Sequence, residues 1–338
     1  MEARPRFRSY FLHPRYWLTW AGLGSVWLAV QLPYRWQLAV GAGVGRLVMA
    51  LATKRRRVAH INVGLCFPDL PARQRRALVT RTFESVGISL LETGMAWWWP
   101  KWRLRRLGTL EGLEHLQQLQ GQGVILLAMH FTTLEIGAGL LGEQLAIDGM
   151  YRRHRNPVFD YVQRRGRERH NDSGIAIARE DVRGMVERLR EGHAIWFAPD
   201  QDYGIRHGVF APFFGVPAAT LTTTSKLARY GRAAVVPFTQ TRLPGGRGYR
   251  LQIHPPLEGF PGVDPARDAE RLNALVEARV RRQPDQYLWL HRRFKTRPPG
   301  ESSVYGTAER KRKLEGAAAA AAGGRGEDAS GWGRPLNR

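Results

Sequence analysis

The stretch Gly123-Val124-Ile125-Leu126-Leu127-Ala128-Met129-His130-Phe131-Thr132-Thr133-Leu134-Glu135 decides how the chain folds. Its first half is a short, unbroken apolar run behind Gly121 and Gly123, the pattern of a strand covered on both faces. Its second half opens a helix, for which Thr132 or Thr133 is a suitable cap. His130 therefore falls at the carboxyl end of a strand, where open α/β sheets hold their ligands. Glu135 sits on the first turns of the helix and can reach back toward the imidazole. A carboxylate that orients a histidine is half of a general base. The same spacing, Thr132-x-x-Glu135, also fits a capping box in which Glu135 only satisfies the backbone N–H of Thr132. Spacing alone leaves both readings open.

Working outward, strands and helices alternate. Strands are expected over 107–110, 147–151, 175–178, 194–198, 233–238, 249–253 and 287–291. Helices are expected over 113–119, 157–170, 181–190, 220–230 and 267–282. Such alternation predicts an α/β domain with a mostly parallel central sheet flanked by helices. Four further places could serve the His130 site. They are Tyr151-Arg152-Arg153, the arginines Arg164, Arg165, Arg167 and Arg169 on the helix opened by Pro157, Asp200 within Ala198-Pro199-Asp200-Gln201-Asp202-Tyr203-Gly204, and His291-Arg292-Arg293. Three of the four follow strands and would share one sheet edge. The plain alternatives are a solvated arginine face and a turn residue after Pro199. A histidine–carboxylate pair amid arginines suits a base acting on a hydroxyl of an anionic, phosphorylated substrate. The sequence has no Walker glycine loop, no nucleophile elbow G-x-S-x-G and no metal-ligand cluster, so neither a metal nor a cofactor is expected.

The 338 residues are long enough for one large domain, and 43% of them are hydrophobic. The formal net charge of +23 points to an anionic partner: nucleic acid, an anionic membrane surface or an acidic protein. Cys66 is the single cysteine, which rules out an internal disulfide and a multi-cysteine zinc site. At the amino end, Arg4, Arg6, Arg8 and Arg15 precede an uncharged run over 16–32; Pro33-Tyr34-Arg35 interrupts; 36–53 is apolar again apart from Arg46; Lys54-Arg55-Arg56-Arg57 closes the region. Residues 1–57 thus read as a retained membrane anchor, either a hairpin broken at Pro33 or one span plus an interfacial helix, with a secretory signal as the weaker alternative. A helix from Ala72 to about Trp97 would place Leu78, Thr82, Val86 and Leu90 on one face. Trp97-Trp98-Trp99 and Trp102 then lie beside basic residues, as a buried corner or a lipid contact. The segment 58–305 forms the chemical domain, and 306–338, with its alanine run and glycines, reads as a disordered low-complexity tail.

The chain resembles the late, secondary acyltransferases of lipid A assembly, most of all the lauroyl type acting on Kdo2-lipid IV(A). The resemblance rests on His13-Pro14-Arg15-Tyr16-Trp17-Leu18-Thr19-Trp20, Glu92-Thr93-Gly94-Met95-Ala96-Trp97, the His130 to Glu135 motif, Ala198 to Gly204, and Trp289-Leu290-His291-Arg292-Arg293-Phe294-Lys295-Thr296-Arg297-Pro298. It implies a glycerolipid-acyltransferase-like fold. It also implies transfer of an acyl chain from acyl carrier protein to a hydroxyl of a 3-hydroxyacyl chain on the lipid A precursor, at the cytoplasmic side of the inner membrane, without metal or cofactor. His130 matches the family's base, Glu135 its acidic partner, and Arg167 and Asp200 two further required positions. Arg164, Arg165 and Arg169 become candidates for holding the acceptor's anionic head or the carrier. A myristoyl or unsaturated donor, or another glycolipid acceptor, is the alternative within this reading. A basic membrane-anchored nucleic-acid-binding protein is the alternative of another class, and no nucleic-acid motif supports it.

Overall fold

The computed structural model describes residues 6–306 except 152, 170–173 and 179–180. The expectations for Arg4, Arg152, the far end of the Pro157 helix and the tail beyond 306 lie outside the described residues. The chain opens with α1 (Trp17–Ala29), α2 (Tyr34–Leu51), α3 (Thr53–Cys66) and the long α4 (Ala72–Trp98). Pro33 and Pro71 stand in extended conformation at the N-caps of α2 and α4, where a missing N–H costs nothing. The alternating part follows: α5 (Lys101–Arg105), β1 (Gly108–Glu111), α6 (Glu114–Gln117), β2 (Val124–Leu127), α7 (Leu134–Gly142), β3 (Ile147–Tyr151), α8 (Pro157–Glu168), β4 (Ala176–Ala178), α9 (Val182–Arg190) and β5 (Ala194–Phe197). The hairpin β6 (Gly208–Phe213) and β7 (Val216–Leu221) comes next, then α10 (Thr223–Gly231), β8 (Ala234–Arg242), β9 (Tyr249–Ile253) and α11 (Pro265–Arg282).

Seven strands form one sheet in the order β1-β9-β8-β2-β5-β3-β4. The run from β8 to β4 is parallel, and β9 joins β8 antiparallel, so the sheet is mostly parallel as expected. β2 lies inside the sheet and all four of its residues are buried, which is why it reads as an unbroken apolar run. The period of two divides its side chains. Leu126 packs with Trp196 and Val236 in one core, which also holds Trp97 of α4 and Ile136 of α7. Ile125 and Leu127 pack with Ile195 and Val235 in another, against Met185 of α9 and Leu227 of α10.

The first helices do not stand apart from this core. α2 crosses α4 with backbone against backbone. A Cβ on Gly45 would lie 2.1 Å from the carbonyl oxygen of Phe83, and one on Gly87 would lie 2.1 Å from that of Gly41. No single helix among the described residues is long and apolar enough to cross a membrane, although α2 and α3, bent by 98° at their junction, pass that test as a pair.

Three expectations need correction. The helix expected over 220–230 starts at Thr223, because Thr220 and Leu221 complete β7, and the β6–β7 hairpin has no counterpart in the sequence reading. The strand expected over 287–291 is not a strand. Its alternating burial arises from tight turns, with Trp289 N–H donating to Tyr287 O and His291 N–H to Leu288 O, and only Tyr287 makes a lone bridge to Phe131. The expected face of α4 also breaks up. Leu78 and Thr82 are buried but Leu90 is exposed, because α4 packs against α2, α3, α7 and α8 and has no single buried stripe.

Candidate active site

His130 and Asp200 meet because of strand register. β2 and β5 are parallel neighbours with Leu127 opposite Phe197, and the ladder continues through the Ala128 N–H to the Phe197 carbonyl. Three residues beyond each strand the chain carries His130 and Asp200, so the two fall opposite one another at the carboxyl edge of the sheet. Asp200 holds His130 with both oxygens. Oδ1 lies 2.5 Å from Nδ1, and Oδ2 accepts the His130 backbone N–H at 2.9 Å. The carboxylate is fully enclosed while the imidazole is partly open to solvent. Burial opposes ionisation of Asp200, but the facing His130 and its two hydrogen bonds hold the carboxyl below the usual carboxylate range. An ionised Asp200 accepts from Nδ1–H and so leaves Nε2 as the free acceptor of a proton, the working tautomer of a general base.

The partner predicted for His130 is thus not Glu135. Glu135 is held by Arg167 through two hydrogen bonds, one of them Nε to Oε2 at 3.2 Å, and by the indole Nε1 of Trp97 at 3.2 Å. Burial pushes its carboxyl up, but the Arg167 charge and the bonds from Arg167 and Trp97 hold it below the ordinary value. The capping box is absent too. Thr133 occupies the N-cap of α7 without a side-chain cap bond, and its hydroxyl donates instead to the Gln240 carbonyl at 3.2 Å. The Thr132 hydroxyl pairs with that of Ser85 at 2.7 Å. Glu135 makes neither expected contact in this structure: it ties the first turn of α7 to α8 and α4.

α8 begins on Asn156, whose side chain accepts from the N–H groups of Val158 and Phe159. Its arginines divide. Arg167 enters the site, Arg164 lies 3.7 Å from Glu168 and over the Tyr151 ring, and Arg165 and Arg169 are exposed. A mainly apolar cavity lined in part by Glu135 opens between α4, α7, α8 and the edge of the sheet. Gly137, Gly139 and Gly142 spell G-x-G-x-x-G, a pattern the sequence reading missed and one that marks a dinucleotide site only where a strand turns into a helix. Here the three lie in the body of α7, so the pattern carries no phosphate-binding geometry.

Two devices brace the His130 turn; the sequence pointed to His291 in the first of them and assigned the ion pair of the second no role. The segment after α11 lies along it: Leu288 N–H donates to His130 O at 3.0 Å, and Thr132 N–H to Gln286 O at 2.7 Å. The same segment grips the Asp200 loop. Asp202 accepts from Thr296 N–H at 2.6 Å, and the Asp202 N–H donates to His291 Nε2 at 3.2 Å. His291 can accept because burial and the nearby His130 push its pKa down to about 4 and keep it neutral. The second device is an enclosed ion pair. Arg242 binds Glu92 through Nε at 2.6 Å and a terminal nitrogen at 2.7 Å, and also donates to Ser85 at 2.8 Å, hence through Thr132 to the turn.

His130 thus rests one ring nitrogen on a buried carboxylate and stays partly open to solvent, an arrangement suited to general-base chemistry on a hydroxyl. The chain belongs to the bacterial lipid A biosynthesis acyltransferase family, whose profile matches residues 4–296. It is 46% identical to the lipid A biosynthesis lauroyltransferase of Escherichia coli over 308 residues, 90% of this chain and 100% of that one. It is 45% identical to the palmitoleoyltransferase of the same organism, over 89% of this chain and 98% of that one. The myristoyltransferase of that organism is 32% identical over 90% of this chain and 95% of its own length. This protein is accordingly an acyltransferase of lipid A biosynthesis that adds one of the late acyl chains.

Proposed function

We propose that the protein transfers an acyl chain, laurate in the first instance, from acyl carrier protein to the hydroxyl of a 3-hydroxyacyl chain on Kdo2-lipid IV(A). The observation that carries the mechanism is the His130–Asp200 pair. His130 Nε2 takes the proton as the acceptor oxygen attacks the thioester carbonyl. Asp200 holds the ring and stabilises the imidazolium that forms. The attack forms the new C–O bond, and collapse of the tetrahedral species restores the carbonyl as the ester and breaks the C–S bond. The carrier's thiolate leaves and receives the proton from His130. Glu135 and Arg167 are positioning residues that fix the start of α7 beside this reaction.

Charge and surface support the partners. A net +23 suits the acidic surface of carrier protein and the phosphates and carboxylates of the acceptor. Exposed Arg165 and Arg169 are candidate contacts to either. Large apolar side chains stand exposed on the first helices, among them Trp17, Leu18, Trp27, Leu28, Trp36 and Leu51, and Arg55 and Arg57 follow them on α3. An apolar face beside basic residues is the surface a protein lays on an anionic bilayer. We place it on the cytoplasmic side of the inner membrane, with 1–57 as the anchoring part, where donor and acceptor meet. A palmitoleoyl donor is the second reading, favoured by the nearly equal identity to the palmitoleoyltransferase.

Initial rates of transfer from lauroyl-, myristoyl- and palmitoleoyl-carrier protein to the lipid A precursor in detergent test the proposal. Transfer that is fastest from the lauroyl donor is expected. No transfer from any carrier-bound donor would contradict it.

A further inference from the structure

We propose that the cavity lined in part by Glu135 holds the alkyl chain of the donor and that Gly149 sets how long a chain it admits; this rests on the acyl-transfer reading above. Gly149 lies on β3 between Ala176 of β4 and Trp196 of β5, in register with both. Side chains in register on parallel neighbours point to the same face of a sheet. That face is the cavity side, since Ala176, Gly149 and Trp196 all line the cavity. The row therefore has a notch where Gly149 lacks a side chain.

Packing does not ask for glycine there. A Cβ on Gly149 would meet nothing within 4 Å, whereas one on Gly166 would lie 2.3 Å from Trp97 Cγ and one on Gly137 2.9 Å from Gln240 Cγ. The backbone does not ask for it either, because Gly149 is not among the positive-φ glycines. Glycine inside a strand weakens it and often marks a place where a ligand approaches the backbone. The opposite wall agrees. Glu135, Ala138, Gly139 and Gly142 of α7 all line the cavity at the spacing of one helix face. This face starts with Glu135, five positions after His130 in the chain, and continues with small residues for about 10 Å. A thioester placed at His130 would then lead its chain along α7 toward the Gly149 notch.

The test is a graded series, Gly149→Ala, Gly149→Val and Gly149→Leu, each checked by thermal unfolding. Initial rates are measured from decanoyl-, lauroyl- and palmitoyl-carrier protein to the lipid A precursor. Longer side chains should shift preference stepwise to shorter donors. Each misfit methylene in an apolar pocket changes kcat/KM by roughly 10- to 200-fold. The lauroyl-to-decanoyl ratio should therefore fall at least tenfold in Gly149→Leu. Ala138→Leu, from the facing wall, should shift the ratio the same way and serves if Gly149→Leu fails to fold. Folded variants that keep the wild-type ratios, or lose all donors equally, would overturn the proposal. Failure of the wild type to use any carrier-bound donor would instead remove the functional reading beneath it.

Discussion

At the scale of residues, chemistry rests on which carboxylate faces which base. Asp200→Asn keeps the shape but removes the charge that holds His130 and its tautomer. We expect transfer to fall about a hundred- to ten-thousand-fold, the usual worth of a positioned base, with KM little changed. A variant with near-normal kcat would separate Asp200 from the base. Glu135 and Arg167 make a different prediction. Glu135→Gln and Arg167→Gln should each lower stability, and the double variant should lose less than their sum. The coupling should be about 0.5–3 kcal/mol, as for side chains in direct contact. Additive losses in chemical unfolding would show that the pair is not a unit. His130 was legible in the sequence because an apolar run ended on it. Asp200 was visible as a residue but not as the partner, because that depends on pairing β2 with β5 in register. Glu135 was nearer in sequence and drew the assignment. The competing cation, Arg167, lies 32 positions further on and reaches Glu135 only through the packing of α8 on α4.

At the scale of elements, the first helices share the apolar cores of the sheet domain, and close backbone contact joins α2 to α4. Gly87→Ala would drive a Cβ into the backbone of α2, 2.1 Å from Gly41 O and 2.3 Å from Gly45 N. We expect a loss of about 1–3 kcal/mol, the typical cost of overpacking. Gly43→Ala is the control: its Cβ meets nothing within 4 Å, and alanine should stabilise the helix by up to about 1 kcal/mol. Equal unfolding midpoints for the two variants would contradict the contact. Periodicity revealed the strands of the parallel core, since β2 and β5 are buried on both faces and punctuated by glycine. It missed the β6–β7 hairpin, whose Pro212 and Pro217 face each other across the pair and read locally as strand breakers. It misread 287–291 because Tyr287 and Trp289 alternate with a less buried Leu288 as strand residues do, although tight turns produce that burial.

At the scale of the whole molecule, two half-buried histidines held neutral make stability depend on pH. His254, hydrogen-bonded to Thr239, is pushed down to about 4 by burial and by Arg279 and Arg282, and His291 reaches a similar value. Both lie below the ordinary value near 6.5, so between about pH 6.5 and 4 the unfolded chain binds more protons than the folded one. Stability should fall as pH drops through that window, and His254→Gln should flatten the dependence. A melting temperature unchanged across the window would contradict it. The proposed addition of a late acyl chain to lipid A depends on His130. Mass spectrometry of lipid A tests it most directly, comparing cells that lack the protein with cells regaining it as wild type or as His130→Ala at matched levels. The wild type should restore one acyl mass and His130→Ala should leave lipid A short of it. Restoration by His130→Ala, or no gain with the wild type, would contradict the account.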